Sequence, residues 1–281
     1  MKDLVRYTSI GRPLDIQYAT NKAILCILAV SLIVSLFYFR LQNLPIIQGI
    51  ISSFLFTAGV FFCWAIGREI DPEHDISAFV GLIFLLPLYL WIDQVNLFVL
   101  FWLLISFRII NRSTGYPVGI IDLMIYLIII IVLVLTFHQI IALLSAMIFF
   151  IEAVASKRRI PLFLLSMVCL LFFITSFIFG DSIQILSFSL PAQSIFMVII
   201  GTVLMIGLII DSKNSTCLSD NRETEISSRR IQLTQTSALI IALVFIGTKG
   251  NAGLYELYIL WSIFFGISTY RIIERLVRKY Y

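Results

Sequence analysis

Long apolar runs alternate with short polar connectors along the whole chain. Runs suited to crossing a bilayer lie at 23–39, 46–66, 78–92, 95–110, 118–137, 140–155, 162–180, 192–210 and 254–269. A further run, 237–247, falls short of the roughly 20 residues a crossing needs, but it extends back to Ile231 through Gln232, Thr234 and Gln235. None has the alternating pattern of a barrel strand, and backbone groups in hydrocarbon must be satisfied within their own segment. The pattern therefore predicts an all-α, polytopic transmembrane helical bundle of about ten helices. Its parts are a polar lead (1–22), an eight-helix region (23–210), a polar connector (211–230) and a two-helix hairpin with a basic tail (231–281).

Basic residues then orient the bundle. With ten crossings and a cytoplasmic N-terminus, 18 of the 20 Lys and Arg residues fall on the cytoplasmic side, and only Arg40 and Lys249 fall outside. Without the short span the basic C-terminal tail would be external, so the charge pattern retains it. The expected location is the cell membrane, with both termini cytoplasmic. The runs 78–92 and 95–110 hold only 15 and 16 residues, separated by Asp93-Gln94. At 1.5 Å per residue each reaches about 24 Å, short of a hydrocarbon core of about 30 Å. Flanking polar residues such as Asn96 would complete the span.

Composition agrees: 60% of residues are hydrophobic, 13% are charged, and the mean hydropathy is +1.03. A soluble domain carries about 25% charged residues, so the bilayer is the expected solvent and principal partner. The net charge of +4 is spread over short loops, which excludes a nucleic-acid partner. Cys26, Cys63, Cys169 and Cys217 lack any metal-binding or redox spacing. No small-x-small cleavage site follows the first run, which reads as a retained helix. The lead before it mixes Leu4, Val5, Leu14 and Ile16 with basic residues, a composition suited either to the headgroup surface or to a plain tail.

Two polar clusters offer chemistry, both on the cytoplasmic side. After the second run stands Gly67-Arg68-Glu69-Ile70-Asp71-Pro72-Glu73-His74-Asp75, with four carboxylates and an imidazole. Asp71, Glu73 and Asp75 are candidate ligands for a divalent metal such as Mg²⁺, and Glu69 and His74 are candidate catalytic acid/base groups. The plainer reading makes Asp71-Pro72 a helix start, with Asp71 as N-cap and acids in the first turn. After the fourth run, Arg108, Asn111 and Arg112 recur at i, i+3 and i+4, so they share a face able to fork onto a phosphate or diphosphate together with Arg68. Gly115 is expected to supply the left-handed helix end there. Asp122, one turn into the next run, needs a partner such as Arg108 or Arg112. Glu152 reads as an interfacial ion pair with Lys157, Arg158 and Arg159, His138 as an outer-loop residue, and Glu256 either as a partner of Lys249 or as a residue facing a cavity.

These clusters suit an enzyme acting on a phosphate- or diphosphate-bearing lipid, or a small anionic substrate, at the cytoplasmic leaflet. Ten helices with both ends inside equally suit a small-molecule transporter of five-plus-five design, although the two halves share no polar pattern. A membrane scaffold or assembly partner is the third class. Reporter fusions after Gly115 and Arg159 are expected to read as cytoplasmic, and those at Asp93 and Lys249 as external; an external C-terminus would remove the short span.

Overall fold

The computed structural model describes residues 18–92, 95–136, 138–156, 159–179, 190–220 and 223–280. The expected headgroup-lying lead therefore falls largely outside the described residues, as do Asp93, Lys157 and Arg158. The chain is all-α: α1 (Ala19–Leu41), α2 (Ile46–Ile70), α3 (Ser77–Ile92), α4 (Leu97–Asn111), α5 (Ile120–Thr136), α6 (Ile140–Ala155), α7 (Arg159–Phe179), α8 (Ala192–Asp211), α9 (Ser228–Lys249), α10 (Asn251–Glu256) and α11 (Tyr258–Tyr280). Five of these, α1, α2, α7, α8 and α9, are long and apolar enough to cross a membrane, as in an integral membrane protein. The short pair foreseen in the sequence is present, α3 with 16 residues and α4 with 15. Asn96 caps α4 by accepting from the Val99 amide at 3.2 Å.

The end of the chain departs from expectation in two ways. The doubtful span is a full helix of 22 residues, because α9 begins three residues before Ile231 and runs on to Lys249. The single run expected at 254–269 is divided at Leu257 into α10 and α11, and α11 continues through the basic tail to Tyr280. Ion pairs of that tail with other helix ends favour the continuation. The connector 211–230, expected as a flexible loop, contains a 3-10 turn (Ser212–Asn214) and a two-stranded hairpin of β1 (Cys217–Leu218) and β2 (Glu225–Ile226). It is fastened to the α4–α5 turn, where the Asp220 amide donates to the Ser113 carbonyl at 2.9 Å.

Burial separates central from peripheral helices. In α9, 56% of the most apolar window is buried, against 22% in α1, 17% in α7 and 22% in α8, so the latter three present most of their apolar surface outward. The first half of α11 is also central, with Trp261, Ile263, Phe264 and Ile267 fully buried. Lipid tails are as apolar as leucine, so close packing and hydrogen bonds hold membrane helices together. Trp102 Nε1 on α4 donates to Ser145 Oγ on α6 at 2.9 Å. Ser106 Oγ on α4 and Tyr126 Oη on α5 lie 2.6 Å apart, and Ser166 Oγ on α7 donates to the Ala146 carbonyl at 2.8 Å.

Contact between α3 and α11 depends on a missing side chain. A Cβ on Gly266 would lie 2.3 Å from the Gly81 nitrogen and 2.4 Å from its Cα. Nothing there can yield except backbone. Gly266→Ala is therefore expected to separate the two helices and cost about 1–3 kcal/mol or more. Gly207→Ala, with nothing within 4 Å, should be neutral or slightly stabilising. Thermal unfolding of the two detergent-purified variants, compared with wild type, checks this pair.

Candidate functional site

Polar side chains gather where the C-terminal ends of α2, α4, α6 and α8 meet the N-terminal ends of α1 and α9 and the polar half of α11. Unsatisfied carbonyls at helix C-termini make such a place favourable for cations. Arg230, two residues into α9, exploits this by donating to the Ile110 carbonyl on α4 and, at 3.3 Å, to the Ala155 carbonyl on α6.

At the centre is Glu152, fully buried on α6. Arg112 donates to its Oε1 through Nε at 2.8 Å and also through Nη2, and Arg230 Nη1 donates to Oε2 at 2.9 Å. One carboxylate thus holds two guanidiniums, and the trio keeps one net positive charge. Losing one partner of a buried pair costs on the order of 3–5 kcal/mol, because the other charge is left in low dielectric. Arg112 is itself the C-cap of α4, in left-handed conformation at φ 53° and ψ 43°. A non-glycine residue there costs roughly 1–2 kcal/mol, which the ion pair can offset. The left-handed end expected at Gly115 therefore lies at Arg112, and Gly115 (φ 82°) serves the following turn.

The helical face predicted for Arg108, Asn111 and Arg112 does not survive this geometry. Arg108 reaches α2, where its Nε donates to Glu69 Oε1 at 3.0 Å, and Asn111 Nδ2 donates to the Glu69 carbonyl at 3.0 Å. Arg112, outside the helix, turns to α6 instead. The two clusters are neighbours, but their arginines do not converge on one point. Asp122 Oδ2 accepts from the Gly119 amide at 3.1 Å, capping the start of α5.

Asp71 is not the N-cap of α3. It ends α2, with φ −129° and ψ 74°, and Pro72 breaks the helix there, while α3 starts at Ser77. The buried Asp71 carboxylate accepts from Arg271 Nη2 of α11 at 2.7 Å and faces His74 Nδ1 at 3.3 Å. Glu73 accepts from the same Arg271 nitrogen at 3.1 Å. Asp75 accepts from Arg68 Nη2 at 2.9 Å, and Arg68 also lies over the Trp64 ring, 5.3 Å from its centroid. The three carboxylates considered for Mg²⁺ thus engage two guanidiniums, Asp71 and Glu73 that of Arg271 on α11 and Asp75 that of Arg68 on α2. Among the described residues no group of three or more His, Cys, Asp or Glu side chains is arranged to hold a metal ion.

Against known proteins the chain has no match among family models, curated proteins or solved structures. Its chemistry must be read from its own residues.

Sequence reasoning missed Glu152, Arg230, Arg271, Glu274 and Gln235 as members of this cluster. Glu152 had a signal, since a lone acid within an apolar run needs a partner, but the partners are Arg112 and Arg230 rather than the adjacent basic triplet. Gln235 Nε2 donates to the Ile70 carbonyl at 3.0 Å and to Ser212 Oγ at 2.9 Å, joining α9 to α2 and to the end of α8. At the opposite end Lys249 pairs with Glu256 as expected, and His138 Nε2 lies 3.6 Å from the same carboxylate.

His74 also faces Glu274 of α11, with Nε2 3.2 Å from Oε2. Burial pushes its pKa down, but the hydrogen bond and charge of Asp71, with the charge of Glu274, outweigh burial and Arg271, so the net shift is above the ordinary value. A raised folded-state pKa contributes stability that is fully present below the unfolded value of about 6.5 and is lost as pH rises through the folded value. The protein is therefore expected to unfold at lower temperature as pH rises above neutrality, and His74→Gln should flatten that part of the profile. A wild-type profile unchanged by the substitution would remove His74 as its source.

Proposed function

We propose that this chain is a cell-membrane protein with ten crossings and both termini cytoplasmic, and that its cytoplasmic end recognises the phosphate of an anionic lipid or small molecule. The grouping of alternate helix ends around the polar cluster supports the ten-crossing reading, and the 18-to-2 distribution of basic residues supports the orientation.

The observation behind the phosphate reading is the surplus charge at Glu152 beside buried hydroxyls that lack partners. Arg112 retains 27% of its side-chain exposure, and its Nη1 makes no hydrogen bond among the described residues. Ser113 and Thr114 directly follow it, and Ser156 follows Ala155, whose carbonyl receives Arg230. The hydroxyl oxygens of Ser113, Thr114 and Ser156 are buried without a hydrogen-bond partner among the described residues. Buried hydroxyls next to a guanidinium are donors suited to phosphate oxygens.

The enzyme reading keeps its anion site here, while its metal candidates Asp71, Glu73 and Asp75 are engaged by arginines. Its two catalytic candidates are engaged as well, Glu69 by Arg108 and His74 by two carboxylates. Recognition is therefore the better-supported role. Transport and scaffolding rest on helix number rather than on any feature of this cluster.

The test measures thermal stabilisation and binding of the purified full-length protein with dihexanoyl phosphatidic acid, dihexanoyl phosphatidylcholine and inorganic phosphate. Phosphatidic acid is expected to bind saturably. Ser113→Ala and Thr114→Val remove unpartnered hydroxyls, so the unliganded melting temperature should hold or rise. Each should weaken binding roughly tenfold, the loss of one charge-assisted hydrogen bond. Equal binding of inorganic phosphate would assign the site to a small anion. Unchanged affinity in both hydroxyl variants, or no binding by either phosphate probe, would reduce the cluster to a tie between helices.

A further inference from the structure

At the other end of the bundle, α1 and α2 frame an open apolar groove of about 350 Å³ lined by Ile33, Phe37, Leu44, Gly49 and Ile50 among others, with Arg40 as its charged lining residue. We propose that this groove, together with Arg40, binds one anionic phospholipid of the leaflet opposite the polar cluster, holding the phosphate at the guanidinium and an acyl chain between the two helices. The proposal rests on the membrane reading above but not on the phosphate site at the cytoplasmic end.

Position along α1 sets the depth. Asn21 accepts from Arg68 at 3.4 Å and so belongs to the polar end. Arg40 lies 19 residues further along the helix, about 28 Å at 1.5 Å per residue, close to one hydrocarbon thickness. The guanidinium therefore reaches headgroup level, while Phe37 and Ile33 lie about one and two turns deeper, where an acyl chain would run.

Arg40 is also the residue that the charge pattern leaves unexplained. It is exposed, and among the described residues no acid pairs with it, whereas Lys249, the other basic residue of that end, is paired with Glu256. The turn after α1 sets the backbone at Arg40: the Asn43 amide returns to the Arg40 carbonyl at 3.1 Å, Leu44 returns to Phe39 at 3.4 Å, and Asn43 adopts φ 55°. Pro45 then starts α2. An exposed guanidinium without an acidic partner among the described residues, at the mouth of an apolar groove, complements a headgroup with one negative charge and a hydrocarbon tail.

Gly49 provides a way to fill the groove without straining the fold, because a Cβ there meets only Phe39 Cβ, at 3.6 Å. The experiment is native mass spectrometry of the full-length protein released from bilayers containing equal phosphatidylglycerol and phosphatidylcholine. All variants are made in the Thr114→Val background to weaken the cytoplasmic-end site. The parent is expected to retain one phosphatidylglycerol at least fivefold over phosphatidylcholine. Arg40→Gln should bring that ratio close to one, and Gly49→Leu should remove retained lipid of both kinds while the melting temperature of lipid-free protein holds. Retention in Gly49→Leu equal to the parent, or a headgroup preference that persists in Arg40→Gln, overturns the proposal. So does a parent that carries a second copy of the chain in place of lipid. These outcomes are separable from failure of the cytoplasmic-end site, which is read with phosphatidic acid on the Ser113 and Thr114 hydroxyls.

Discussion

The Glu152 carboxylate is fully buried at the end of α6, and a buried charge is tolerated only where opposite charge and hydrogen bonds replace its hydration. Arg112 and Arg230 supply both, and so three helices distant in sequence are drawn to one point. The rest of the polar end follows from that constraint. Arg230 can reach the terminal carbonyls of α4 and α6 because Glu152 holds its guanidinium between them. With α4 held in this way, Arg108 and Asn111 face the end of α2 and meet Glu69.

A second group of charges binds α11 to the same end. Asp71 and Glu73 share Arg271, and His74 lies between Asp71 and Glu274. Arg275 meets Asp211 at the end of α8. These contacts explain why α11 remains helical beyond its apolar half, and the acid-rich segment they engage ends α2 instead of starting α3. Its carboxylates are drawn to three guanidiniums, Glu69 to Arg108, Asp71 and Glu73 to Arg271, and Asp75 to Arg68. Arg112 keeps part of its side chain exposed and is followed in the chain by Ser113 and Thr114, whose hydroxyls are buried without a partner among the described residues.

Between the two ends the bundle is held by small residues and a few hydrogen bonds, as expected where hydrocarbon is the solvent. The close approach of Gly81 and Gly266 seats α11, the helix that carries Arg271 to Asp71, on α3. At the far end, the hairpin of α1 and α2 leaves an open apolar groove beside Arg40, which meets no acid among the described residues. The two ends thus differ in kind: at one, several acids and arginines from separate helices pair with each other, and at the other Lys249 and His138 face Glu256 while Arg40 meets no acid among the described residues.

The sequence by itself determined that the chain is helical and built for a bilayer, and it placed most of the helices. Those properties depend on local quantities, namely the hydropathy of a run against the thickness of hydrocarbon and the cost of leaving backbone groups unpaired within it. The end of the bundle at which the charges would gather was legible for the same reason. Which acid would meet which arginine was not. Arg112 and Glu152 are 40 residues apart, Arg230 and Glu152 78, and Arg271 and Asp71 200. Those pairings depend on which helices become neighbours and on the rotation of each about its axis, and the left-handed turn at Arg112 that separates it from Arg108 is selected by the same contacts. Only the packed bundle brings such groups within reach, because the energy of an ion pair depends on distance in space and not on distance along the chain.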